Sequence, residues 1–338
     1  MEQLRVGLLG CGKRVALFHA GPLAALEGVR IAGLADPNPE SIATLRRTVP
    51  LDGVPAFGSA PELYDKVELD AVLVSTPHTM HHPMIMEALG RGLHVLSEKP
   101  LACTAEEARD IAGAAAASGL TVTIAYQRRF DSAYVYMREA IVRGDLGRLQ
   151  SISVTCGQRW GRATRTGWRQ LPELSGGGML MDTGSHVVDV LCWLVDQPFL
   201  DVHALVENRG RPVDIDTTAL IAFEGGVQGQ LAVLGGLAFR HLESVVVSGS
   251  EAALRYENDP QYPFRQGTVI RYSEDSETRP LNLRAGVGEV VKGWVAAIRG
   301  ERENACPPSA GVRVAELTEA ILEAGRAAPA AEVAGASS

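Results

Sequence analysis

The sequence predicts an α/β chain with two unlike halves, a doubly wound parallel sheet followed by an α+β part whose sheet is mainly antiparallel. Three observations carry this. Short β-rich runs alternate with helix-compatible segments over the first 126 residues, which implies βαβ units. Beyond Asp201 strand-like runs follow one another with no helix between them. A glycine-rich turn sits at the first strand–helix junction, where such sheets hold ligands.

In the first half, Arg5–Leu9, Val29–Ala35, Ala71–Ser75, His94–Leu96 and Thr121–Ala125 are continuous apolar runs, as strands covered on both faces must be. Glu40–Val49, Met80–Arg91 and Ala105–Ser118 read as the intervening helices. Thr104 is placed to cap the last of these with Glu107 as its reciprocal partner, and Gly119 to end it. In the second half, a helix over about Ser132–Arg143 leads to a strand near Leu149–Cys156. An irregular Arg/Trp/Gly stretch and a helix over about Gly178–Val195 follow. Val202–Glu207, Thr217–Phe223, Val227–Val233, Glu243–Ser248 and Val269–Tyr272 are then successive strands, and helices at about Val287–Arg299 and Gly311–Arg326 close the chain. This gives domains over residues 1–126 and 127–326. A flexible tail is expected over 327–338, where Ala, Gly, Pro and Ser dominate.

The chain has 338 residues, 46% hydrophobic and 21% charged, enough apolar surface to bury a large core. The net charge of −8 argues against a nucleic-acid partner, which needs clustered basic surface. Cys11, Cys103, Cys156, Cys192 and Cys306 show neither metal-ligand spacing nor a disulfide framework. A strand pattern starting at Leu4 leaves no room for a signal peptide. Together these predict a cytoplasmic protein. No apolar run approaches the roughly 18 residues of a membrane span, so no membrane partner is expected.

The turn Gly10-Cys11-Gly12-Lys13-Arg14-Val15 has two glycines of a dinucleotide fingerprint: the first for a tight turn, the second for close approach of a pyrophosphate to a helix N-terminus. Val15 stands where the pattern has a third small residue. Asp36, at the end of the second strand, is placed to accept hydrogen bonds from a ribose. Its charge would repel a 2′-phosphate, so NAD(H) is favoured over NADP(H) as cofactor. Ser75, Thr76 and Pro77 leave another strand on the ligand edge and are expected to line the nicotinamide end. His78 and His81 follow, either as cofactor contacts or as ordinary helix-start histidines.

Two further clusters carry chemistry. Glu98-Lys99-Pro100 directly follows an apolar strand, and the proline disfavours helix at Lys99, leaving a lysine on the ligand edge. Gly176-Gly177-Gly178 precedes an apolar helix on which Asp182 and His186, four apart, share one face, with Asp189 three further on. Polar groups on so apolar a helix must be paired. Asp189 reads as a structural partner holding His186, and His186 as a proton-exchanging group matched to neutral pH. No supporting third and fourth ligands accompany the His/Asp spacing, so no metal is expected.

Taken in order, these segments and Tyr126-Gln127-Arg128-Arg129-Phe130 resemble the glucose-fructose oxidoreductase / inositol dehydrogenase / rhizopine-catabolism (Gfo/Idh/MocA) oxidoreductases. The resemblance implies an N-terminal Rossmann domain and a C-terminal domain with a large open sheet used to form a homodimer or homotetramer. It implies hydride exchange between a nicotinamide and a carbohydrate-like alcohol or ketone, with Lys99 as active-site lysine, Asp182 as substrate-binding aspartate and His186 as catalytic histidine. A cis peptide before Pro100 is also implied. His78 departs from the family's usual asparagine. On this reading His186 exchanges the hydroxyl proton, Lys99 donates to the reacting oxygen, and Asp182 orients a neighbouring hydroxyl or the imidazole. Arg169 either reaches the substrate or forms a surface ion pair, and Trp168 or Trp160 either stacks on a sugar face or packs in the core. Rival readings are a cofactor-retaining epimerase or glycosidase and a non-enzymatic, sugar-responsive regulator.

Overall fold

The computed structural model describes residues 3–238, 240–258, 267–279, 283 and 289–327. Six parallel strands form the first sheet: β1 (Leu4–Leu9), β2 (Val29–Ala35), β3 (Ala56–Phe57), β4 (Ala71–Val74), β5 (His94–Ser97) and β6 (Val122–Ile124). Their order is β3-β2-β1-β4-β5-β6. Strand order reverses between β1 and β4, which opens a crevice at their carboxyl ends. Val6, Leu8, Leu9, Val72, Leu73 and Val74 are almost completely buried, as helices on both faces require. The helix Ala105–Ser118 runs as predicted, with both halves of the Thr104/Glu107 capping box formed and Gly119 left-handed at its end.

The second sheet contains β7 (Leu149–Gly157), β8 (Phe199–Glu207), β9 (Asp216–Phe223), β10 (Gln228–Leu234), β11 (Leu242–Gly249), β12 (Ala252–Glu257), β13 (Thr268–Ser273) and β14 (Ser276–Thr278). Their order is β14-β13-β12-β11-β7-β10-β9-β8, antiparallel throughout except for the β7–β10 pair. One face is core, with Ile152, Val154, Leu231, Val233, Val245 and Val247 buried; helix Ser185–Val195 packs on β7. The alternate positions are open, and Leu205 and Leu220 remain 69% and 56% exposed.

Several short elements lie outside the sequence expectation. β3 is only two residues long, and Ala60–Lys66 is a short helix started by the Ser59 cap and Pro61. β12 opens on two alanines, weak strand formers that pair because β11 and β13 flank them. β14 is a three-residue edge. The final helices, Glu289–Ile298 and Pro308–Ala327, return to the first half. Val290, Val291 and Trp294 join the core of Val6, Leu8 and Leu34, while the last helix packs on both Ala105–Ser118 and β8. The expected tail lies, beyond Ala327, outside the described residues, as do positions 287–288 of the penultimate predicted helix. Among the described residues no helix is long and apolar enough to cross a membrane.

Candidate active site

A cleft of about 1610 Å³ lies over the carboxyl ends of the parallel strands and runs to the second sheet. That exceeds the few hundred to about 1,000 Å³ of a pocket for one small ligand. All sixteen sequence-predicted site residues line it: Gly10, Gly12, Lys13, Arg14, Asp36, Ser75, Thr76, Pro77, His78, His81, Glu98, Lys99, Trp168, Arg169, Asp182 and His186.

At the first strand–helix turn Gly10 has φ 87°, and a Cβ there would strike the Ser75 carbonyl. Glycine is therefore forced at this position by the protein itself. Gly12 differs, because a Cβ on it would meet no protein atom within 4 Å. The bare backbone faces the cleft, which fits a closely approaching phosphate. The helix expected after the turn opens with a π-helical turn, Val15–His19, and Val15 is fully buried in the core. Asp36 accepts from the Cys11 amide at 2.7 Å and the Asn38 amide at 2.8 Å, fixing its carboxylate at the end of β2 with lone pairs to spare. Thr76 Oγ1 is buried without a partner among the described residues.

Arg14 is tied to the cleft wall by two of its nitrogens. Its Nε donates to Glu98 at 2.8 Å and its Nη2 to Gln127 at 2.6 Å. Glu98 also meets His19 Nε2 at 2.5 Å. Burial alone would raise the Glu98 pKa, but Arg14 and His19 outweigh it and hold the carboxyl well below its ordinary value. His81 is a buried tie, with Nδ1 2.7 Å from the Pro100 carbonyl and Nε2 3.1 Å from that of Thr76; burial lowers its pKa to about 4. His78 is also buried, with Nδ1 2.9 Å from the Ser175 carbonyl. As the carbonyl can only accept, Nδ1 is the donor in this contact. The Lys99–Pro100 peptide is cis.

The catalytic candidates meet on the other wall. Gly178 and Leu180 donate their amides to Asp214, both at 2.7 Å, anchoring the helix start. The Asp214 backbone comes so close that a side chain at Gly178 would clash, so the glycine run is tight packing rather than a mobile loop. The π-helical turn Leu180–Gly184 then carries Asp182. One Asp182 oxygen accepts from Lys99 Nζ at 2.6 Å; the other accepts from Trp160 Nε1 at 2.7 Å and Arg169 Nε at 2.6 Å. Lys99 Nζ also donates to the Asp182 carbonyl at 2.8 Å. Burial opposes the Asp182 charge, but Lys99, His78 and Arg169 hold its pKa well below the usual carboxylate range. Burial lowers the Lys99 pKa, against the pull of Asp182 and Glu98. His186, 6% exposed, is driven well below the ordinary imidazole value by burial and by Arg128 and Lys99, and its Nδ1 has no partner among the described residues.

Two expectations need correction. Asp189 does not hold His186. It is wholly buried and binds the Arg129 guanidinium at 2.8–3.0 Å. The imidazole beside Asp182 is His78, whose Nε2 is 3.7 Å from Oδ1. Trp168, 4.8 Å from His78 and 4.3 Å from the Arg169 guanidinium between centres, stands at the cleft, whereas Trp160 is buried as a donor to Asp182. Sequence reasoning missed a buried group on this wall, in which Arg128 and the Tyr134 hydroxyl both bond Glu243. Arg128, on the turn Gln127–Phe130 after β6, and Glu243, on β11, are 115 positions apart and meet only in the folded chain.

Residues 4–126 match the profile of an oxidoreductase family with an NAD-binding Rossmann fold, and residues 134–255 match the GFO/IDH/MocA C-terminal domain. The chain is 34% identical to the rhizopine catabolism protein MocA of Rhizobium meliloti over 202 residues, 58% of this chain and 59% of that one. It is 31% identical to inositol 2-dehydrogenase of Agrobacterium fabrum, over 92% of this chain and 96% of that protein. The fold matches that of levoglucosan dehydrogenase in complex with NADH and levoglucosan, with TM-score 0.82 and 21% identity over 96% of this chain and 98% of the other. With both halves matched in order and a relative aligned along nearly its whole length, the chain belongs to the Gfo/Idh/MocA family of oxidoreductases.

Proposed function

We propose that this protein transfers a hydride between NAD(H) and a hydroxyl-bearing or keto carbon of a sugar, polyol or related cyclic substrate. The observation that carries the reading is the Lys99–Asp182 pair beside His186, on the cleft that also contains the glycine turn and Asp36. A dinucleotide would be held by the Gly10–Lys13 turn, Asp36 and Ser75–Pro77, and would supply the hydride acceptor or donor. Lys99 has three donors and gives two to Asp182, which leaves one for the reacting oxygen. An ammonium there stabilises negative charge developing on that oxygen. His186, neutral at ordinary pH, can take the hydroxyl proton in oxidation and return it in reduction. Asp182 keeps Lys99 charged and in place.

The preference for NAD over NADP rests on the fixed charge of Asp36. Arg46 and Arg47, on the following helix, are engaged with the Val54 carbonyl and with Glu40. Self-association through the open face of the second sheet, as a homodimer or homotetramer, is supported by exposed Leu205 and Leu220. A cytoplasmic location is supported by five free cysteines. The test is to incubate the enzyme with NAD and a panel of polyols and sugars while following reduced-nicotinamide absorbance. Turnover of at least one member is expected, and none with NAD or NADP would overturn the reading. Product without net reduced cofactor would assign the same residues to a cofactor-retaining reaction.

A further inference from the structure

Each carboxylate on the substrate wall of the cleft has a partner. Asp182 is held by Lys99, Trp160 and Arg169, and Glu243 by Arg128 and Tyr134. Asp131 accepts from the Ala133 amide, and Glu289 from Lys292. Two guanidiniums on that wall have no such match. Arg159, just past β7, and Arg240, just before β11, are exposed and line the cleft, and their side chains form no hydrogen bond or ion pair with a described residue. The β7–β11 ladder ends with Leu242 opposite Gly157, so Arg240 and Arg159, two residues beyond that pair on either chain, leave the same end of the two strands. Deeper on the same wall, Arg128 is 9% exposed and its Nη1 is buried without a partner among the described residues. A chain with a net charge of −8 thus carries two unpaired guanidiniums and one unused guanidinium donor on the substrate wall of its cleft.

We propose that the substrate carries an oxyanion, a carboxylate or a phosphate, seated between Arg159 and Arg240, so that the substrate class is acidic sugars rather than neutral polyols. This rests on the oxidoreductase reading for the chemistry at Lys99 and His186, but the anion site is defined by its own residues. Guanidinium suits the task because its planar fork matches both carboxylate and phosphate oxygens.

The test is calorimetric titration of the enzyme with glucose, glucuronate and glucose 6-phosphate. NADH is kept saturating so that cofactor phosphate sites are filled. The wild type is compared with the double variant Arg159→Gln/Arg240→Gln. At least one anion should bind about tenfold or more tighter than glucose, as expected for charged hydrogen bonds, and the double substitution should remove most of that preference. The anion that binds separates carboxylate from phosphate recognition. Glucose binding as tightly as both anions, no binding of either anion, or a preference unchanged in the double variant would overturn the proposal. Because binding is read without turnover, anion binding with no reduced nicotinamide from any sugar would sink the oxidoreductase reading instead. Efficient turnover of neutral polyols with no anion preference would do the reverse.

Discussion

Replacing Asp182 with asparagine isolates the electrostatic core of the site. The carboxylate is 4% exposed and accepts from Lys99, Trp160 and Arg169 at 2.6–2.7 Å. Asparagine keeps the shape but loses the charge, and its amide nitrogen turns a donor toward other donors. Two unit charges 2.6 Å apart attract by about 6 kcal/mol at an effective dielectric near 20. Desolvation of both ions offsets part of this, and breaking a buried pair from one side costs about 3–5 kcal/mol. Urea denaturation should show a loss of that size. Replacing Lys99 by methionine as well should recover part of it, since no buried ammonium then lacks its partner. Lys99 should also deprotonate more easily once Asp182 no longer opposes its burial. Its ordinary value is 10.5 and the folded value already lies lower, so the alkaline limb of kcat should move to still lower pH. Turnover should fall about 100- to 1,000-fold, the usual cost of one misplaced donor at a developing oxyanion. Strictly additive losses in the double variant, or an unmoved alkaline limb, would refute this account.

Three other outcomes follow from named contacts. Gly10→Ala should destabilise the fold by about 1–3 kcal/mol through its positive φ and the Ser75 carbonyl, whereas Gly12→Ala should change stability by less than about 0.5 kcal/mol yet weaken NADH binding; paired urea and calorimetry measurements separate them. His81 has a folded pKa of about 4 against 6.5 for a free imidazole, so the unfolded chain binds more protons between those values. Stability should be intact above 6.5 and fall by up to about 3 kcal/mol as pH drops through this window, with His78 and His186 acting in the same direction, and His81→Asn should flatten the slope. Asp36→Ser should raise kcat/KM with NADP relative to NAD; an unchanged ratio would remove Asp36 as the discriminator.

What the sequence disclosed follows physical range. The strands β1, β2, β4 and β5 announce themselves as short apolar runs because both faces are covered, and the Thr104–Glu107 box is local chemistry three residues apart. Lys99, Asp182 and His186 were legible because each sits at a local marker: a strand end before proline, or an apolar helix carrying polar groups that need partners. Their partners were not legible. Trp160 to Asp182, His19 to Glu98 and Arg128 to Glu243 are made by folding across 22, 79 and 115 positions. Asp189 shows the limit of local spacing: three residues from His186 on one helix, it turns to Arg129, sixty residues away. The Arg159/Arg240 pair becomes visible only once the register of β7 and β11 is known.

The most direct test of the central claim is a paired measurement on Lys99→Ala and His186→Ala, reading turnover from reduced-nicotinamide absorbance and NADH affinity by calorimetry. The account predicts that each loses about two to four orders of magnitude in kcat while still binding NADH. Near wild-type turnover in both variants would contradict it.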